Sequence, residues 1–430
     1  MSVNRTHEPA VQELDNINIP LPVRTCMPNG IPLNIIHAGE QDVVRLDLLF
    51  KGGSWQQPQK LQALFTNRML REGSRLYTSA DIAEKLDYYG AWLELASSTD
   101  HAYITLYSLN KYFAETMEII ASIVKEPLFP ERELNTVIET NIQQYLVNST
   151  KVDFIGHRSL LKSLYGESHP CGRFAVENDY RKITPKVLID FYEKVYHKDN
   201  CSVYLSGKVT DDIVHVVEMS LGIDGFGGEE NSATSHACPI LASADKRIFT
   251  EYPDAIQSSV KMGNVTITRS HPDYLKLRVL LTLFGGYFGS RLVSNIREEK
   301  GYTYGIAAGL LFYPDSGLLV ISSETANEFV EPLIHEVYCE IDKLHHELVG
   351  KDELSVVKNY MLGEMCRSYE SPFSLSDAWM FIQTFGLDDD FFNRSVEAIK
   401  SVTPAELKDL ACRYLCKEKL KEIIVGKKLS

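Results

Sequence analysis

His335 and Glu336, with Cys339 where a second histidine would stand, come within one residue type of the His-Glu-x-x-His spacing. That spacing sets two imidazoles on one helix face around zinc, with a carboxylate beside them. His345, His346 and Glu347 form a second local cluster. Both groups lie in a helical pattern of apolar residues, where solvated surface side chains are the expected reading. Gly285, Gly286 and Gly289 invite comparison with a phosphate cradle, but GGYFG has neither the GxGxxG nor the P-loop spacing. Close packing of a loop is expected there instead. Residues 61–74 read LQALFTNRMLREGS, with Leu61, Leu64, Phe65, Met69 and Leu70 near the helical period. The middle of this helix carries an amide at Asn67 and a guanidinium at Arg68, and no acid appears before Glu72.

The chain that must position these groups has 430 residues, too many for one ordinary core, so at least two domains are expected. Its 44 basic and 58 acidic residues give a net charge of -14, which argues against a nucleic-acid footprint. The N-terminal stretch MSVNRTHEPAVQELDNINIP has no basic start leading into an apolar run, so no signal peptide is expected. No stretch has the length and apolarity of a membrane span. The eight cysteines include no CxxC pair and no disulfide-framework spacing, which fits reduced thiols and a cytoplasmic location.

The chain is written twice. ITPKVLIDFYEKVYHKDNCSVYLSG, residues 183–207, runs parallel to VTPAELKDLACRYLCKEKLKEIIVG, residues 402–426. The Thr-Pro pairs at 184 and 403, and the glycines at 207 and 426, stand 219 residues apart. Arg132-Glu133-Leu134 has a counterpart in Asp352-Glu353-Leu354. Strand-like runs open the copies at 43–52 and 258–267. Further strands are expected at 102–109, 317–324 and in the two closing segments. Strands and helices fall into runs rather than alternating, which favours α+β units with helices against a mainly antiparallel sheet. The expected division is 1–221, a linker at 222–239 rich in Gly, Ser, Asn and acidic residues, and 240–430.

These residues resemble the M16, or pitrilysin and insulinase-like, peptidases, specifically the bacterial type related to mitochondrial processing peptidase. The phrases that carry the resemblance are GGSWQQPQKLQALFTNRML, KLDYYGAWLELASSTDHAYITLYSL, GESHPCGR, the ITP element and LFGGYFGSRLVSNIREEKGYTYGI. The resemblance implies two homologous LuxS/MPP-like metallohydrolase units. In active members the helix matching residues 61–74 bears H-x-x-E-H, two zinc ligands and a general base, and a later glutamate completes the site. The match places Leu64 and Arg68 at the histidines, Asn67 at the glutamate, and the third ligand near Gln144, within a few residues. Leucine has no lone pair, an amide takes no proton at neutral pH, and an arginine brings a fixed positive charge to the metal's place.

What the family pattern keeps is an Arg and a Tyr seven residues apart, matched by Arg297 and Tyr304. In the family these reach from the zinc-less half or subunit to the substrate carbonyl at the metal. LVSNIREEK reads as a helix, Lys300 suits its C-terminus, Gly301 suits a left-handed cap, and YTYGIAAGLLFY reads as a strand. The implied function is the non-zinc subunit of a heterodimeric zinc endopeptidase. Such a chain holds no metal, is no peptidase alone, and supplies Arg297, Tyr304 and half of a peptide chamber. Zinc would belong to an H-x-x-E-H partner, and the segment LELASSTDHAYITL would match the peptide-binding edge strand of that partner, as a vestige of its role or as a structural strand. A scaffold or peptide-binding homologue with no part in cleavage is the alternative.

Overall fold

The computed structural model describes residues 17–228 and 238–428. Residues 1–16, which carry most of the N-terminal reading, and the middle of the expected linker lie outside them.

Among the described residues eleven strands form two sheets. The first contains β1 (Val23–Cys26), β2 (Pro32–His37), β3 (Val43–Lys51), β4 (Trp92–Ser97), β5 (His101–Leu109) and β6 (Cys201–Gly207), in the order β1-β2-β6-β3-β5-β4. The second contains β7 (Arg247–Glu251), β8 (Gln257–Thr266), β9 (Thr303–Phe312), β10 (Gly317–Ala326) and β11 (Lys421–Gly426), in the order β7-β11-β8-β10-β9. Without β1 the two orders are the same. The parallel pairs also correspond, β2 with β6 and β7 with β11, and every other pairing is antiparallel. The repeat read from the Thr-Pro elements is therefore a repeat of topology. Thr184 and Thr403 each cap a helix, Pro185–Val195 and Pro404–Tyr414, by accepting from the backbone N–H of Val187 and of Glu406, with proline at the first helical position.

Strands β3 and β8 are buried along almost their whole length, so both faces of each sheet need cover. One face is covered by the half's own helices. The other is covered by exchange. Helix Val152–Tyr165 of the first half lays Leu160, Leu161, Leu164 and Tyr165 against Leu318, Ile423 and Val425 of the second sheet. Helix Pro372–Thr384 of the second half lays Leu375, Ala378, Trp379 and Ile382 against Ile36, Leu49 and Tyr204 of the first.

Buried charge tightens both contacts. Asp47, fully buried on β3, accepts from Arg45 Nε at 2.9 Å, Thr105 Oγ1 at 2.7 Å and, across the halves, Ser376 Oγ at 3.2 Å. Burial pushes its carboxyl above the ordinary value, against the opposing effect of Arg45 and Thr105. Asp47 pairs with Tyr204, and Lys261 pairs with Ile423, again 219 residues further on. At that equivalent place Lys261 bonds Asp153 of the first half and Ser322 of its own sheet. One copy thus buries an anion where the other buries a cation.

Two sequence expectations change. Residues 222–228, the start of the expected linker, pack on the first half: Phe226 is buried against Phe50, and its carbonyl accepts from Lys198 N at 3.1 Å. The segment LELASSTDHAYITL is a hairpin of β4 and β5 rather than one strand, and β4 is the sheet's edge. No helix among the described residues is long and apolar enough to cross a membrane.

The exchange predicts that damage to one helix spreads to the other half. Trp379 is 2% exposed, and its indole N–H donates to the Pro20 carbonyl at 2.9 Å. Trp379→Ala is expected to cost about 3–5 kcal/mol in urea unfolding. Hydrogen exchange should show β2, β3 and β6 losing protection along with the helix that carries the substitution; loss confined to the second half would contradict the exchange.

Candidate functional site

The helix expected over residues 61–74 is α-helical over Gln62–Met69 and tightens into a 3₁₀ turn over Leu70–Glu72. Leu64 is half-buried. Asn67 is wholly buried, and its amide donates to the Tyr103 carbonyl at 3.2 Å. It also bears on the hydroxyl of Tyr196, a phenol whose pKa is pushed up by burial. Arg68 is exposed and donates to Asn141 on helix Glu131–Ser149. Gln144 lies one turn further along that helix, is exposed, and bonds Asn148 at 3.3 Å. Zinc does not fit these residues. The position of a general base holds an amide committed to a backbone carbonyl, and the position of a ligand holds a cation that already ties the two helices together.

The other candidate clusters are not brought together as metal sites. His335 Nε2 stands 3.4 Å from Cys339 Sγ, Glu336 accepts from Asn295, and the His345 and His346 rings reach backbone carbonyls. Among the described residues no group of three or more His, Cys, Asp or Glu could hold a metal ion. Gly285 packs against β9, where an added Cβ would fall 2.7 Å from the Ala308 Cβ. That is the close approach expected of the GGYFG loop.

Arg297 and Tyr304 are brought together. Arg297 lies on Val293–Glu299, a stretch wound as a π-helix where an ordinary helix was expected. Gly301 closes it with φ of 65°, the left-handed turn that glycine takes at no steric cost. The Arg297 guanidinium carbon stands 5.3 Å from the centre of the Tyr304 ring and 4.8 Å from that of Phe288, and its Nε lies 3.2 Å from Glu298. Stacking on rings fixes the plane of a guanidinium while leaving its edge free to donate.

Tyr304 is 88% exposed although it lies on a strand. The cause is a bulge. Glu324 pairs with Gly305 and Thr325 with Thr303, so Tyr304 is the extra residue on β9. An extra residue loses its place in the ladder and its side chain is re-aimed. Two hydroxyls hold the bulge: Thr303 Oγ1 accepts from Gly305 N at 3.1 Å, and Ser323 Oγ donates to the Gly305 carbonyl at 2.9 Å. Thr303, Ser323 and Phe288 were not marked by the sequence reading, and no motif signals a single inserted residue. Tyr304 stands over an open groove of about 760 Å³ whose floor includes Gly305 and Ala307, and β9 is the free edge of its sheet. Small residues beside an unpaired edge leave space for an extended peptide.

Comparison with known proteins bears on the family and the fold. Residues 34–168 match the family model for insulinase, peptidase family M16, and residues 182–361 match the model called peptidase M16 inactive domain. A Rickettsia felis protein named uncharacterized zinc protease is 22% identical over 80% of this chain and 82% of its own length. A Helicobacter pylori protein named non-peptidase homolog YmxG is 25% identical over 64% and 62% of the two chains. The fold is that of a peptidase M16 inactive domain from Pseudomonas fluorescens, with a TM-score of 0.82, 22% identity, and coverage of 95% of this chain and 99% of that one. A chain of complex III2 from Candida albicans matches with a TM-score of 0.74, 14% identity, and coverage of 94% and 95%.

Metal analysis of the purified chain should find far less than one zinc per molecule. The triple substitution Leu64→His, Asn67→Glu, Arg68→His should still bind zinc poorly, because the facing helix presents the amides of Asn141 and Gln144. One zinc per chain in the unmodified protein, removable by chelator, would refute this account of the site.

Proposed function

The chain belongs to the peptidase M16 family, and on that premise we propose that it is the zinc-less subunit of a two-chain endopeptidase. A separate H-x-x-E-H subunit of the family provides the metal and the general base, and with them the activated water. This chain provides Arg297, Tyr304 and one wall of the peptide chamber. The observation that carries the reading is the bulge on β9, which sets an exposed tyrosine beside a ring-stacked arginine in a chain whose metal positions are Leu64, Asn67 and Arg68.

The chemistry follows from where the donors stand. The Tyr304 hydroxyl has no hydrogen-bond partner among the described residues, and its ring is held at the mouth of the groove. It donates to the scissile carbonyl oxygen, which gains negative charge as water attacks. The Arg297 edge donates to the same oxygen or to the adjoining substrate carbonyl, and its positive charge favours the charged state over the ground state. Both groups sit on elements fixed by packing, so they need little reorganisation when the peptide arrives.

Mixing the chain with its H-x-x-E-H partner should give zinc-dependent cleavage of peptides that neither cleaves alone. In that mixture Tyr304→Phe should lower kcat by about 10²- to 10³-fold, the usual cost of one oxyanion donor. Arg297→Ala should cost at least as much, part of it in KM. Normal turnover by both variants would reduce the chain to a scaffold or peptide-binding subunit.

The hydroxyls that hold the bulge give a second test. Thr303→Val should lower kcat by up to about 10²-fold through misplacement of Tyr304, and Thr303→Ser should restore most of it. A Thr303→Val complex with unchanged kcat would show that the bulge does not aim the tyrosine.

A further inference from the structure

We infer that the aromatic cleft beside β9 in the second half holds the terminal carboxylate of a peptide, gripped by Arg269 and Arg278. Arg269 follows β8, and its guanidinium carbon stands 4.3 Å from the centre of the Phe312 ring, 4.5 Å from Phe381 and 4.0 Å from Phe385. Rings against its faces leave the in-plane N–H donors for a ligand, since stacking and edge-on hydrogen bonding use different parts of the group. Its only hydrogen bond among the described residues is to the Tyr274 hydroxyl at 3.5 Å, and its buried Nε has no acceptor. Among the described residues no carboxylate lies within 4.0 Å of Arg269 or Arg278. Arg24, Arg45, Arg291, Arg394 and Arg413 all hold one.

Arg269 and Arg278 line the same cleft and lie near enough for Arg278 to lower the Arg269 pKa, adding to the effect of burial. Like charges in a half-buried, ring-walled space repel at low effective dielectric, and an anion between them removes that cost. The cleft encloses about 460 Å³, and its remaining walls include Leu281, Tyr369, Phe391 and Phe392. Such walls offer nothing to a free inorganic anion but suit an apolar side chain attached to the carboxylate. A peptide ending in an apolar or aromatic residue has both parts. The position also suits a peptide, because the cleft borders Ala308–Leu310 of β9, the edge strand that carries Tyr304. From Tyr304 to Gly309 the strand spans five residues, about 16 Å at the usual rise. An extended chain along β9 would reach both. This part of the argument rests on the reading of the protein as a peptide-handling subunit.

The test needs neither partner nor turnover, so its failure and the failure of the catalytic reading are separable. A fluorescent hexapeptide ending in phenylalanine is titrated against the full chain, first as the free acid and then as the C-terminal amide. The acid should bind about ten- to a hundredfold more tightly, the scale set by a charge-assisted pair. Arg269→Gln should erase the difference, and Arg269→Lys should keep part of it. If Arg269→Gln fails to fold by circular dichroism, Arg278→Gln makes the same comparison. Equal affinity for acid and amide overturns the site, as does a preference that survives the glutamine variant. So does an amide carrying an internal glutamate that binds as tightly as the acid, or displacement of the peptide by millimolar inorganic phosphate.

Discussion

Each sheet buries a face that its own half cannot cover. Strands β3 and β8 are buried on both sides, and helices Val152–Tyr165 and Pro372–Thr384 close the second faces by crossing between halves. Neither half has a complete core without the other, which fixes their mutual orientation. Everything at the candidate site inherits that geometry. Helix Pro372–Thr384, which crosses to the first sheet, also brings Phe381 to Arg269 in the cleft beside β9. The buried Asp47 and Lys261 add direction to the contact, because each finds its full set of partners only across the halves.

The two copies have diverged under this shared constraint. In the first, the helix that would hold a metal keeps its packing residues while its polar positions are rebuilt into ordinary structure: Asn67 bonds a strand carbonyl, and Arg68 joins two helices. In the second, the edge strand carries one extra residue, and the extra residue is the tyrosine. The polar residues of the first-half helix are tied into ordinary structure, while Tyr304 stays exposed beside a half-buried Arg297. A bulge weakens the ladder locally, so its retention by the Thr303 and Ser323 hydroxyls is a local cost set against presentation of Tyr304.

Much of the fold was legible because it is written in short-range terms. Strand-like runs marked β3 and β8, the Thr-Pro caps marked the repeat, and Gly301 marked a left-handed helix end. The helix exchange was not legible, since it pairs residues such as Trp379 and Tyr204 that no local pattern connects. Residues 222–228 read as linker from their Gly and Asp content, but burial of Phe226 decides their place. Arg68 reaches Asn141 rather than Gln144 because helical spacing alone gives no register between two helices distant in sequence. The pair Arg297 and Tyr304 was visible through its resemblance, whereas the bulge that aims the tyrosine was not, because one unpaired residue leaves no periodic trace.

The most direct measurement is a structure of this chain with its H-x-x-E-H partner and a slowly cleaved peptide. The account predicts the Tyr304 hydroxyl and the Arg297 edge within about 3 Å of a peptide carbonyl oxygen beside the partner's zinc, the distance expected of charge-assisted hydrogen bonds. A peptide seated at the zinc with Tyr304 and Arg297 turned to solvent would contradict it.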